Sequence, residues 1–118
     1  MEVHLTILSE QAQKLIAEQR RRYIDSMPDK RRAIRQCMLQ FNAALQNSEP
    51  DLCDKLFQQI HRLAGSAGSY GFESLGLAAS VVDRYLTANS LQVANLPELT
   101  SLLQNLLNEI DDVIRNND

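Results

Sequence analysis

The stretch HRLAGSAGSYGF, residues 61–72, holds three of the chain's four glycines, and the fourth, Gly76, follows shortly after it. The other residues include no glycine and are rich in Leu, Ala, Gln and Arg. Little glycine and proline with these residue types is typical of a helical domain and argues against a β-sandwich or barrel. All the glycines of this predicted helical chain lie shortly after one histidine, His61. We therefore expect a specialised local structure there.

Apolar residues on both sides of this stretch recur at three- and four-residue spacing, which predicts five helices. Their predicted bounds are about 9–26, 28–47, 50–67, 72–88 and 96–115. Helix starts are signalled by Pro28, by Ser48 ahead of a proline and an acid, and by Pro97. Short connections make helices two, three and four antiparallel neighbours. The predicted fold is all-α: an antiparallel up-down four-helix bundle with an additional N-terminal capping helix, in one domain over residues 1–118.

The first predicted helix is moderately amphipathic, and we expect it to pack at one end of the bundle. Its apolar side is formed by Leu15, Ile16, Gln19, Tyr23 and Ile24. Seven of the twelve Lys and Arg residues lie between Arg20 and Arg35, whereas the last 21 residues are acidic. Solvated helix faces explain this pattern; the alternative is a basic rim that steers an acidic partner surface.

Composition limits the function classes. With 118 residues the chain is long enough for one domain. A net charge of −3 argues against general nucleic-acid binding. No apolar run approaches the ~20 residues of a membrane span, and the N-terminus lacks the pattern of a signal peptide. Cys37 and Cys53 are too few for a disulfide framework, so we expect reduced cysteines on apolar helix faces and a cytoplasmic protein.

His61 lies just beyond the edge of the apolar arc of the third helix, where an imidazole has apolar neighbours at its base and solvent at its tip. Ala64, Gly65 and Gly68, at three, four and seven residues further on, share its face. Glycine inside a helix costs up to ~1 kcal/mol relative to alanine, so Gly65 needs a reason. Either it leaves room for a bulky group or another protein at the imidazole, or it serves close helix packing or a fraying helix end.

Asp83 lies on the flank of the fourth helix, near Gly76 and Ser80. If helices three and four are antiparallel neighbours, this carboxylate can reach His61. An aspartate bonded to one ring nitrogen fixes the tautomer and leaves the other nitrogen as a nucleophile. The alternative is a solvated Asp83 paired with Arg84 or Arg115.

Residues 61–72 resemble the signature of histidine-containing phosphotransfer (HPt) domains, H-x-L-K-G followed by small residues and a glycine. The order of the predicted helices is also similar to that family, from about Leu15 to Ile114. The resemblance implies a phosphorelay intermediate in which His61 accepts a phosphoryl group, at Nε2, from a receiver-domain aspartyl phosphate or a kinase and passes it to another receiver.

The resemblance also implies the partners. These are response-regulator receiver domains and a hybrid sensor histidine kinase, with no nucleic acid and no membrane insertion, and we expect a monomer. The chain is then a phosphocarrier rather than an enzyme, and it shows no P-loop sequence for ATP. It needs no cofactor of its own, since the Mg²⁺ belongs to the receiver.

The sequence departs from the family pattern at Ala64, where the family usually has a lysine that balances the phosphoryl charge. Arg62 lies about 100° round the helix from His61, which makes it a poor direct replacement. The possible phosphoryl contacts within the chain are Gln58, Arg62 and Arg84, and a cation from the partner is a further candidate. Two other functions therefore stay open: an HPt-like adaptor that binds receivers without carrying phosphate, and a purely structural helical module. A catalytic triad-like set in a concave pocket is not evident.

Overall fold

The computed structural model describes residues 2–46, 54–89 and 95–117. Its elements are α1 (Glu2–Asp25), α2 (Met27–Gln46), α3 (Asp54–Ser66), a 3₁₀ turn η1 (Ala67–Tyr70), α4 (Glu73–Ala88) and α5 (Leu96–Asn116). Within these ranges there is no β-strand. The predicted all-α fold is confirmed.

Helices α2 to α5 enclose one apolar core. In this bundle α3 packs on α4, α4 on α5, and α5 on α2. Among the described residues the largest fully buried side chains are Met27, Ile34, Ile60, Leu75, Val82, Leu99, Leu103, Leu106 and Ile110. All four bundle helices contribute to this set, so burial of their apolar stripes stabilises the arrangement.

The pairing of α3 with α4 is antiparallel and positions the region around His61. Gly76, early in α4, lies against Ala67 at the end of α3, whereas Asp83, a later residue, reaches His61, an earlier one. The chain reverses between the helices at Gly71, whose φ of 87° is left-handed. Gly71 N–H donates to Gly68 O at 3.0 Å and Phe72 N–H to Ala67 O at 2.9 Å, which closes the turn. The same reversal brings the flanks of α3 and α4 together.

Helix α1 differs from its prediction in start and in packing. It begins at Glu2, seven residues before the predicted start. Tyr23 and Ile24 pack against the bundle as expected, but Leu15 and Ile16 are 55% and 54% exposed. The prediction of one packed apolar side is therefore wrong for the middle of α1, because among its described side chains, from residue 9 onward, those that reach the bundle lie in the last two turns.

The end of α1 is attached to η1 by aromatic and polar contacts. The rings of Tyr23 and Tyr70 stack with centroids 4.4 Å apart. Arg20 Nε donates to Tyr70 O at 3.0 Å, and its guanidinium lies 4.6 Å from the Phe72 ring centroid. These contacts couple α1 to the turn that follows the His61 helix.

The remaining boundaries agree with the prediction where they can be compared. Helices α2, α4 and α5 match the predicted bounds within one residue in the described ranges, and α3 ends at Ser66. The predicted start of α3 at Ser48 and Pro50 lies outside the described residues.

The expectation of a reduced Cys37 is wrong, since this residue is disulfide-bonded. Cys53 lies outside the described residues.

Candidate functional site

His61 and Asp83 form the polar centre of the α3–α4 flank. His61 Nδ1 lies 2.9 Å from Asp83 Oδ2. The His61 side chain is 73% exposed, whereas that of Asp83 is 28% exposed. An ionised carboxylate only accepts hydrogen bonds, so Nδ1 carries the proton and donates it. In the neutral imidazole this leaves the lone pair on Nε2.

The hydrogen bond between His61 and Asp83 resolves one alternative from the sequence. In the described chain Asp83 makes no ion pair with Arg84 or Arg115, since Arg115 pairs with Asp112. The carboxylate is therefore oriented toward the imidazole instead of being a solvated partner of a nearby arginine.

The glycines beside His61 leave open space at the site. A Cβ atom built on Gly65 or on Gly68 meets no atom within 4 Å. Close packing therefore does not explain Gly65, which favours the interpretation that it keeps the approach to the imidazole clear. Gly76 is different, because its Cβ would lie 3.4 Å from Ala67 Cβ and 3.5 Å from Gly68 N. This glycine serves the close approach of α4 to α3.

A groove of about 450 Å³ opens beside His61 on the side away from these glycines. Its lining is Asp54, Phe57, Gln58, His61, Arg62, Asp83, Leu86 and Thr87. Gln58 and Arg62 therefore line the same groove as His61. A side chain that contacts a phosphoryl group on His61 must lie in such a position. Arg84 is exposed and is not part of the lining. The helical angle from His61 made Arg62 a poor candidate, yet its long side chain reaches the groove wall.

Ala64 packs against the core from a half-buried position. It brings no charge to the face it shares with His61. In the described groove the only cationic side chain is that of Arg62. The position where the related pattern has lysine is therefore apolar here, and within the groove lining Arg62 is the alternative source of positive charge.

Several residues of the groove are not among those predicted from the sequence. Phe57 and Asp54 precede His61 by four and seven residues, and Thr87 follows Asp83 by four. Helical spacing of this kind places each on the same face as its partner and could have identified them. Thr87 Oγ1 donates to Asp83 O at 2.8 Å, so this hydroxyl is engaged with the backbone of α4.

The basic run between Arg20 and Arg35 is largely engaged within the molecule. Arg20 bonds to Tyr70 O, Arg21 pairs with Asp25 at 3.2 Å, and Arg31 pairs with Asp111 at 3.2 Å. Arg32 pairs with Asp29 at 3.1 Å. These contacts favour solvated or internally paired helix faces over a free basic rim.

Comparison with known proteins identifies the family. The Hpt domain model matches residues 18–114. The chain therefore belongs to the Hpt domain family. No curated protein and no solved structure gives a significant match to the chain.

Membership defines the class of activity. Hpt domains are phosphocarrier modules of two-component signalling, not kinases, and the chain is accordingly a histidine phosphotransfer module. No helix in the described ranges is both long enough and apolar enough to span a bilayer.

Proposed function

We propose that the chain is a phosphorelay intermediate in which His61 is the phosphoryl acceptor, within a single Hpt unit spanning residues 1–118. The observation that carries the proposal is the bond from His61 Nδ1 to Asp83 in an otherwise exposed side chain. It leaves Nε2, the nitrogen with the lone pair, facing solvent where a partner can approach. His4, the chain's other histidine, lies outside the Hpt match at residues 18–114.

In the proposed transfer, Nε2 attacks the phosphorus of an aspartyl phosphate on a receiver domain. The N–P bond forms as the P–O bond to the receiver's aspartate breaks, and the electron pair leaves with that carboxylate. The product is a phosphoimidazole that keeps its proton on Nδ1 and is positively charged on the ring. Asp83 stabilises that charge through the same hydrogen bond. Transfer onward to a second receiver is the reverse step.

The chain's own groove supplies part of the environment for the phosphoryl group. Arg62 provides a cation and Gln58 an amide donor on the groove wall, and both are proposed phosphoryl contacts. Arg84 is a weaker candidate for a phosphoryl contact because it does not line the groove. The Mg²⁺ that neutralises phosphate charge belongs to the receiver, and the chain itself needs no cofactor.

The proposed partners are receiver domains and a hybrid sensor histidine kinase in the cytoplasm. The small residues Gly65, Gly68 and Ala64 give a partner surface access to His61 without a steric barrier. The chain acts as a monomeric carrier rather than an enzyme in this proposal.

The deciding experiment is phosphotransfer from a receiver domain labelled with ³²P on its aspartate. Label should move to the wild-type chain and give an acid-labile, alkali-stable product. His61→Gln should abolish the transfer, whereas His4→Gln, the matched control, should leave it unchanged. Transfer to His61→Gln, or no transfer from any receiver of the same organism, would overturn the proposal.

A phosphate-independent adaptor is the second candidate, and the observation that favours it is the apolar Ala64. It predicts that the chain and His61→Gln bind a receiver equally well, with no label transferred. A purely structural module predicts no receiver binding, and nothing in the geometry of the His61–Asp83 pair favours it.

A further inference from the structure

A second cavity lies on the opposite side of Arg62 from the His61 groove, where the end of α1 and the start of α2 meet α3. Its volume is about 490 Å³. The polar part of its lining is Tyr23, Ser26, Asp29, Lys30, Gln59, Arg62 and Ser66. Apart from Arg62, no polar residue of this lining has a role in the proposed relay.

Neither of the two cations of this cavity, Lys30 and Arg62, makes an ion pair with a carboxylate of the described residues. Lys30 Nζ donates to Ser26 Oγ at 2.8 Å, a hydroxyl rather than an anion, and lies 5.8 Å from the Tyr23 ring centroid. Asp29, the one acidic residue of the lining, forms an ion pair with Arg32, with 3.1 Å between Oδ1 and Nη1. The cavity is therefore positive in a chain whose net charge is negative.

The position of Lys30 makes this charge costly. The ammonium is half-buried, and burial lowers the pKa of Lys30 below its ordinary value, although the nearby Asp29 carboxylate acts in the opposite direction. A charge that is partly removed from water gains from an opposite charge nearby. Two of its three N–H groups have no acceptor among the bonds of the described residues, since only the one to Ser26 is made.

Hydroxyl groups complete a set of donors around the cavity. Tyr23 and Ser66 share a hydrogen bond at 3.1 Å, and in such a pair one hydroxyl retains a free hydrogen. Arg62 contributes a guanidinium with up to five N–H groups and no bonded partner in the described chain. Two cations and a hydroxyl converging on one cavity match the oxygens of a phosphate or carboxylate group.

We propose that the cavity between Lys30, Arg62 and the Tyr23–Ser66 pair is a binding site for a small oxyanion bearing phosphate or carboxylate groups. Anion binding here does not require a phosphoryl group on His61. Because Arg62 lines both cavities, the anion and a phosphoryl group on His61 compete for this side chain.

The test is an NMR titration of the unphosphorylated full chain, with inorganic phosphate in one arm and malonate in the other. Sodium chloride at matched ionic strength is the reference. Saturable shifts of the Lys30 and Ser66 amides in either arm support the site, and the arm that saturates identifies phosphate, carboxylate or both. Absence of saturation in both arms, or shifts confined to Gln58 and Thr87 in the His61 groove, would overturn it.

A matched pair of variants separates a specific site from diffuse attraction. Lys30→Met should weaken the apparent affinity roughly tenfold, since one charge-assisted hydrogen bond is lost. Arg35→Met removes an exposed cation of the same helix that is not part of the cavity and should leave the affinity unchanged. Far-UV circular dichroism checks that both variants fold. Equal weakening by both variants contradicts a specific site.

Discussion

His61 combines high exposure with a fixed ring orientation, two properties that seldom coincide in a surface side chain. Its exposure follows from its place at the edge of the apolar arc of α3, with Gly65 beside it. Its orientation follows from Asp83 on the neighbouring helix, 2.9 Å away. An exposed imidazole free to rotate offers either nitrogen to a partner, whereas this one presents Nε2.

Replacing Asp83 by Asn tests whether the carboxylate charge stabilises the phosphorylated ring. Asn retains an acceptor oxygen but removes the charge that stabilises the phosphorylated ring, so we expect the transfer rate to fall by roughly tenfold or more. The measurement is the single-turnover rate with a labelled receiver. Glu73→Gln, which neutralises another exposed carboxylate of α4, is the control and should transfer at the wild-type rate. Equal rates for Asp83→Asn and wild type contradict the role given to Asp83.

Gly65→Leu tests whether space beside His61 matters. A Cβ at Gly65 meets no atom within 4 Å, and glycine in a helix is unfavourable, so the bundle should remain folded and as stable as wild type. The leucine side chain covers the approach to Nε2, and transfer should be lost. Thermal unfolding and the transfer assay are measured on the same sample. Normal transfer by the folded variant shows that access is not the function of Gly65.

At the residue scale helical spacing places His61 and Gly65 on one face of α3, and the reach of Asp83 follows once α3 and α4 are taken as antiparallel neighbours. It gives Arg62 only as a possible phosphoryl contact and as a poor direct replacement for the family lysine. A helical wheel gives the direction of Cβ, but a long arginine side chain covers a wide surface around that direction. The role of Arg62 as replacement for the missing lysine stays a prediction.

The turn between α3 and α4 is the element on which the site geometry depends. Gly71 takes the left-handed conformation that lets the chain reverse within a few residues. Gly76 then allows α4 to approach α3 closely, which sets the distance between His61 and Asp83. Both glycines act through backbone geometry, whereas Gly65 acts through the surface it leaves open.

Gly71→Ala should destabilise the fold by about 1–2 kcal/mol, because a side chain disfavours the left-handed conformation. Gly68→Ala is the matched control: it lies in the same turn, has no positive φ and has open space around its Cβ. The measurement is the free energy of unfolding from urea titration of each variant. A Gly71→Ala variant as stable as Gly68→Ala contradicts the backbone role of Gly71.

The helices themselves were predictable to different degrees. The bounds of α4 and α5 follow from strong apolar stripes and, in α5, from an early proline. The start of α1 was not predictable. The predicted start coincides with Ser9, a residue type that often caps helices, and the residues before it contain no helix breaker and no stronger capping pattern. The spacing of the apolar residues in α1 predicts an apolar face. It does not predict which part of that face another helix buries.

The whole molecule is elongated, with extents of 63 × 28 × 21 Å. Its radius of gyration of 17.4 Å exceeds the roughly 13 Å of a compact domain of about this size. The exposure of Leu15 and Ile16 shows that the middle of α1 does not contribute to the core. The packed core is therefore formed by the bundle together with the last turns of α1, and the family match begins at residue 18.

Deletion of residues 1–17 should change the free energy of unfolding by less than about 1 kcal/mol, because the deleted side chains that are described bury little apolar surface. Tyr23→Ala is the contrasting variant: it removes the ring that stacks on Tyr70, and we expect a loss of roughly 1–3 kcal/mol. Urea unfolding measures both. A deletion as costly as Tyr23→Ala shows that the whole of α1 belongs to the cooperative unit.

The most direct test of the account is ¹⁵N NMR of the phosphorylated chain, with the ring nitrogens of His61 assigned through their couplings to ³¹P. We predict one phosphohistidine, with phosphorus coupled to Nε2 of His61 and a proton retained on Nδ1 toward Asp83. Phosphorus on Nδ1, on His4, or on no histidine after incubation with a phosphorylated receiver contradicts the account.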